Sequence, residues 1–158
     1  MAQLNPLALG TLLVTLCLLV PSASPKSIDV HSCDKNADYA VNVSGVDITP
    51  FPVSRAKNTN FTVFASTGKS ISGGKIKIDV SYFGFHVHNE NHDLCGDLLC
   101  PVSVGDFVLS HSLELPIFIP PGSYTLRMTM DDENKKQLTC FTFNFSVGFL
   151  ASETLSDV

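Results

Sequence analysis

Lys75-Ile76-Lys77-Ile78-Asp79-Val80-Ser81-Tyr82 alternates polar and apolar side chains without a fault. Successive side chains of a strand point to opposite faces. The octet therefore gathers Ile76, Ile78, Val80 and Tyr82 on one face, as a half-buried strand requires. The same period recurs down the chain. Phe107, Leu109, His111, Leu113 and Leu115 share a face, and Tyr124, Leu126, Met128 and Met130 oppose Thr125, Arg127 and Thr129. In the last run Phe141, Phe143, Phe145 and Val147 oppose Cys140, Thr142 and Asn144. Tyr39–Asp47 and Asn60–Ser66 are shorter candidates, and helical periodicity is nearly absent.

Turn chemistry separates these runs. Ser72-Gly73-Gly74 and Pro120-Pro121-Gly122 each precede a strand, and Asp131-Asp132-Glu133-Asn134-Lys135-Lys136 reads as the loop of a hairpin. Six to eight strands at this spacing, without intervening helices, predict an all-β, antiparallel β-sandwich. Gly84 to Gly105 stands out as one long connection, a feature often tied to function in compact domains.

Four cysteines outside the N-terminal apolar run set the covalent frame: Cys33, Cys95, Cys100 and Cys140. In an exported chain an even set reads as two disulfides. Three pairings are possible. Spacing favours Cys95 with Cys100 around a short loop, which leaves Cys33 to meet Cys140 across the domain. The export reading comes from residues 1–24. Leu7 to Val20 is apolar and uncharged, shorter than the roughly 20 residues of a spanning helix, and Pro21-Ser22-Ala23-Ser24 resembles a cleavage region. The expected division is thus a signal peptide over 1–24 and one domain over 25–158. Three sequons, at Asn42, Asn60 and Asn144, agree with a glycoprotein of the secretory pathway.

The net charge of −5, with both signs interspersed, carries no nucleic-acid footprint. His86, His88, His92 and Cys95 invite a metal reading, since zinc takes three or four convergent N and S ligands. Pairing of Cys95 with Cys100 removes the thiolate, so the expectation is no metal and no cofactor. The same imidazoles would titrate at the acidic pH of endosomes and vacuoles. Asp131-Asp132-Glu133 lacks the alternating oxygen ligands of a calcium loop. There is no Gly-x-Ser-x-Gly elbow, and nothing points to an enzyme.

The aromatic face of the last run has two readings. Phe141, Phe143 and Phe145 serve either as ordinary core, since aromatic side chains bury large areas, or as the wall of an apolar cavity between two sheets. The competing classes are accordingly a lipid binder and an extracellular immunoglobulin-like interaction module with a solid core. An immunoglobulin domain carries a buried Trp beside its cysteines, and this chain has no Trp.

Beyond single motifs, an ordered set spans most of the domain: Asp29-Val30-His31-Ser32-Cys33, Val46-Asp47-Ile48-Thr49-Pro50-Phe51-Pro52, Cys95-x4-Cys100-Pro101, Leu115-Pro116-Ile117, and Asp131-Asp132-Glu133-Asn134 before Cys140-Phe141. In order and spacing the chain resembles the ML (MD-2-related lipid-recognition) family, in the branch of the Niemann-Pick type C2 sterol carriers, and looks most like its plant members. The resemblance implies an immunoglobulin-like sandwich with a lipid slot between its sheets and no chemistry performed on the ligand. By motif position it implies a lining of Ile48, Val63, Phe85, Val87 and Ile117, continued by Met128, Phe141, Phe143 and Phe145. Tyr124 joins them from alternation. The implied partners are a sterol or phospholipid and, for exchange, transient contact with a membrane or membrane protein. The expected product is a monomer, extracellular or in a vacuolar or lysosomal lumen. One departure is notable: the animal carrier has a third disulfide at the Pro-x-Pro segment, where this chain has Phe51.

Overall fold

The computed structural model describes residues 25–148. The expected leader lies outside them, as do residues 149–158.

Alternation becomes sheet wherever the sequence announced it. The chain forms β1 (Lys26–Ile28), β2 (His31–Ser32), β3 (Val41–Thr49), β4 (Asn58–Thr67), β5 (Gly74–Tyr82) and β6 (Phe85–Asp93). A one-turn helix α1 (Leu94–Asp97) follows, then β7 (Gly105–Glu114), β8 (Gly122–Asp132) and β9 (Gln137–Val147). Two antiparallel sheets result: a four-stranded sheet in the order β1-β3-β4-β7 and a five-stranded sheet in the order β2-β9-β8-β5-β6. This is the all-β sandwich that the periodicity predicts, with apolar residues of both inner faces facing each other.

Register explains which side chains meet. Along β8 and β9, Tyr124 pairs with Phe145, Leu126 with Phe143 and Met128 with Phe141, so six large side chains form one inward surface. On the other sheet, Val46 pairs with Val63 and Ile48 with Phe61. All ten are buried. Burying a side chain of this size is worth about 1.5–3 kcal/mol relative to exposure, so this double layer dominates the core.

One expectation fails. Gly84 to Gly105 is not one long connection, because Phe85–Asp93 pairs along β5 as a full edge strand. Its partners explain why the alternation was invisible: His92 faces Ile76, Glu90 faces Ile78 and His88 faces Val80. The inner face of β6 is polar, so both faces of the strand read as polar in sequence.

The sandwich has two unlike ends. At the base the chain crosses between sheets through 33–40, 68–73 and 94–104. Both disulfides sit here. Cys33–Cys140 joins positions 107 apart in sequence, fixing the stretch after β2 to β9, and Cys95–Cys100 closes the segment after β6. The strongly positive φ of Gly74 at the base admits no larger residue, since a Cβ there would lie 2.0 Å from the Asp131 carbonyl.

At the opposite end lie the β3–β4 loop, the Phe83-Gly84 turn and the β7–β8 crossing, 115–121. Side-chain packing holds this end. Phe51, between the two prolines of the Pro-x-Pro segment, is half-buried against the core, with the Lys26 ammonium 5.8 Å above its ring. The β3–β4 loop is tied by Ala56 N–H donating to the Leu115 carbonyl, and Val53 pairs with Val147.

Candidate functional site

The aromatic residues of the inner face are not evenly spread; they concentrate at the end without disulfides. Tyr82 stacks on Tyr124 at 4.7 Å between ring centroids, and Tyr124 stacks on Phe145 at 5.7 Å. This row crosses β5, β8 and β9. Phe61 of the facing sheet closes on it, 5.7 Å from Phe145 and 6.0 Å from Phe143. The sheets therefore meet here through ring against ring. Such contacts are individually weak, at about 0.5–1.5 kcal/mol beyond area burial; the backbone tie beside them is that of Val53, which donates to the Ser146 carbonyl and accepts from the Gly148 N–H.

Gly122 makes this arrangement fit. Its φ is +146°, and a Cβ on it would lie 3.0 Å from the Tyr82 ring. The Tyr124 hydroxyl donates to the Pro120 carbonyl, anchoring the β7–β8 loop. Burial, and after it the neighbouring Tyr82, pushes the Tyr124 phenol above its ordinary range, so it stays a neutral donor.

Seven of the ten expected lining residues, Ile48, Val63, Tyr124, Met128, Phe141, Phe143 and Phe145, come together on the two inner faces. Phe85, Val87 and Ile117 do not join them. Phe85 is 76% exposed at the tip of the β5–β6 hairpin, and Ile117 is 62% exposed in the β7–β8 loop. Val87 is likewise exposed, at the irregularity where the β5–β6 register shifts. Motif position put them inside; the end of a strand and the crest of a loop leave them outside. They share this surface with Phe83 and Phe118, each 83% exposed, so the end of the sandwich carries an apolar rim.

Polar groups that sequence reading missed lie at the same end. Arg55 donates from Nη1 to the Ile119 carbonyl, while its Nε is buried without a partner. Thr59, fully buried on β4, also leaves its Oγ1 unpaired. Neither belongs to a motif. A buried donor or acceptor left unpaired costs about 1–3 kcal/mol, so each is a group that an added polar partner would satisfy.

The metal set that the sequence invited, His86, His88, His92 and Cys95, does not assemble. Cys95 is bonded to Cys100, and His86 points its Nδ1 at Asp79 on the exposed side of the sheet, 2.7 Å away. The structure instead groups His88, Glu90, His92 and His111. Burial opposes ionisation of Glu90, but hydrogen bonds from His92 and His88 and the charge of His88 and His111 outweigh it. Its carboxyl is held below the usual range. Asn42, Asn60 and Asn144 are all exposed, the placement that a glycan needs.

Comparison with known proteins agrees with this architecture. The family model described as ML domain matches residues 27–147. The MD-2-related lipid-recognition protein ROSY1 of Arabidopsis thaliana is 32% identical over 140 residues, covering 84% of this chain and 83% of its own. A phosphatidylglycerol/phosphatidylinositol transfer protein of Candida albicans is 26% identical over 129 residues, covering 78% of this chain but 65% of the relative, so the chain matches just under two thirds of that protein. Among solved structures, a Niemann-Pick type C2 protein from the Japanese carpenter ant superposes with a TM-score of 0.50 at 12% identity, over 81% of this chain and 96% of the other.

Proposed function

The chain belongs to the ML domain family, a family of lipid-binding and lipid-transfer proteins and not of enzymes, and from that premise we propose that it binds a phospholipid between its sheets and moves it between membranes. The observation that carries the reading is the ring closure of Phe61 on Phe143 and Phe145 at the end without disulfides. An acyl chain that parts these rings gains about 0.8 kcal/mol for each methylene it buries. It replaces apolar contacts with apolar contacts, so little is lost on the protein side.

Phospholipid is preferred to sterol because of what stands at the mouth. A phosphate left at the opening meets Arg55, whose buried Nε lacks a partner, while Thr59 Oγ1 is free for a glycerol or ester oxygen. A sterol offers one hydroxyl to the same groups. The fungal relative named for phosphatidylglycerol and phosphatidylinositol supports the same preference. The exposed rim of Phe83, Phe85, Ile117 and Phe118 is suited to touching a lipid surface during exchange, since aromatic and aliphatic side chains partition into the interface. Two disulfides fit an oxidising compartment, and we place the monomeric product in the secretory pathway, outside the cell or in a vacuolar or lysosomal lumen.

Close ring packing is also what an interaction module with a solid core would show. Organic extraction of protein purified from its native host separates the two readings. The lipid carrier yields a co-purified phospholipid by mass spectrometry and binds phosphatidylglycerol or phosphatidylinositol from vesicles. An empty extract together with no binding across a sterol and phospholipid panel contradicts it. Phe143→Arg should abolish lipid binding in protein that is still folded by circular dichroism. Arg55→Ala should weaken anionic phospholipid and leave sterol unaffected.

A further inference from the structure

The open edge of the sandwich, where β6 of one sheet faces β7 of the other, is lined by imidazoles where apolar side chains would be expected. His88, Glu90 and His92 sit two residues apart on β6, on the face shared with Val80, Ile78 and Ile76. Side chains at i, i+2 and i+4 of a strand project from one face, so the three stand in a row. From β7 comes His111, 7% exposed and on the inner face beside Leu109 and Leu113. Its ring lies 4.6 Å from that of His92.

We propose that this seam binds a zinc-class divalent cation through Nε2 of His92, Nε2 of His111 and a carboxylate oxygen of Glu90. One ligand atom from each lies within 4.8 Å of the others. Two imidazoles and a carboxylate form a donor set suited to zinc, with a fourth position left for water or a further side chain. Zinc bonds of about 2.0–2.2 Å place ligand atoms about 3.3 Å apart in a tetrahedron. His111 and Glu90 now stand at 3.1 Å, and His92 and Glu90 at 2.6 Å. Widening the His92–Glu90 gap by about 0.7 Å and the His111–Glu90 gap by about 0.2 Å brings both to that spacing.

The groups around these three carry a second, separate argument. His88 Nε2 lies 2.6 Å from Oε1 of Glu90 and fixes the carboxylate while Oε2 faces the other two imidazoles. Asp97, on α1, sets Oδ2 3.8 Å from Nδ1 of His111, and that oxygen is buried without a hydrogen-bond partner. When His111 donates from Nε2 to Glu90 as a neutral imidazole, its bare Nδ1 faces the Asp97 carboxylate, lone pair to lone pair. Binding a cation at Nε2 moves the ring proton to Nδ1, which donates to Asp97 once the pair closes from 3.8 Å to hydrogen-bond distance. The carboxylate–histidine–metal relay is the common means of orienting such ligands, and here it satisfies the orphaned oxygen. Asp97 and His88 are thus positioning residues, and the ion would bridge the edges of the two sheets.

The test uses the full chain produced through an oxidising secretory route without a polyhistidine tag. Titration with Zn²⁺ should give one site per chain, and Co²⁺ should give the intense visible absorption of a four-coordinate ion. His92→Gln and His111→Gln should each weaken Zn²⁺ by at least about tenfold, and Asp97→Asn by about 10–100-fold. His86→Gln, whose imidazole is turned to Asp79, should change nothing. His92 is half-exposed, so His92→Gln keeps the test valid if the buried His111 variant does not fold. Absence of stoichiometric binding by the unsubstituted chain overturns the proposal, as does affinity unchanged in folded His92→Gln or lost in His86→Gln.

Discussion

At the base of the sandwich, covalent bonds pin the chain where it leaves the five-stranded sheet: Cys33, just after β2, to Cys140 of β9, and Cys95 to Cys100 within the segment after β6. At the other end the same two sheets are joined, among the described residues, by stacked and edge-on rings of Tyr82, Tyr124, Phe145 and Phe61 and by the hydrogen bonds of two loops. A disulfide restrains the chain whatever its surroundings. A ring contact can be exchanged for a lipid tail at little cost. On the proposed function, the contrast shows how a small β-domain could admit a large apolar ligand without unfolding, with one end as the hinge and the other as the mouth. Phe51 sharpens the point, since packing at the mouth holds the position where the animal carrier has a covalent tie.

The contrast can be broken from either end. The largest effect should come from Cys33→Ser with Cys140→Ser. A loop of this length corresponds to about 4–5 kcal/mol in the loop-entropy account, read as a fall in the urea midpoint; a loss under about 1 kcal/mol would mean that the base is held by packing as well. Removing Cys95–Cys100, which spans only five positions, should cost about 2 kcal/mol by the same account. Smallest in stability should be Phe83→Ser with Phe118→Ser. Both side chains are exposed, so the change should stay within about 0.5 kcal/mol for each, yet transfer between vesicles should slow severalfold. Unaltered transfer would separate the rim from the exchange step.

Much of the fold was legible because strands with one buried face write their register into the sequence. Ile76 to Tyr82, Tyr124 to Met130 and Phe141 to Val147 each gave both the element and its inward side. β6 was illegible for a physical reason: its inner residues are His88, Glu90 and His92, whose burial is offset by mutual hydrogen bonds, so no apolar period exists to be read. β1 and β2, at three and two residues, are too short to carry a period. For the site, alternation put Tyr124 and Met128 on one face of their run and Phe141, Phe143 and Phe145 on one face of theirs, whereas Ile48 and Val63 came from the family resemblance. The mouth groups Arg55 and Thr59, and His111 as the partner of Glu90, come from loops and strands that are distant in sequence. Only the closing of one sheet on the other brings them together.

The account's central claim is that a lipid tail enters between Phe61 and the Phe143–Phe145 wall, at the end without disulfides. The most direct measurement is photo-crosslinking with a phosphatidylglycerol bearing a photoreactive group at the tip of one acyl chain, followed by peptide mapping. The account predicts adducts on the inner-face stretches of β4, β8 and β9, around Phe61, Leu126 and Phe143. Labelling confined to outward-facing residues, or labelling at the base beside Cys95–Cys100, would contradict it.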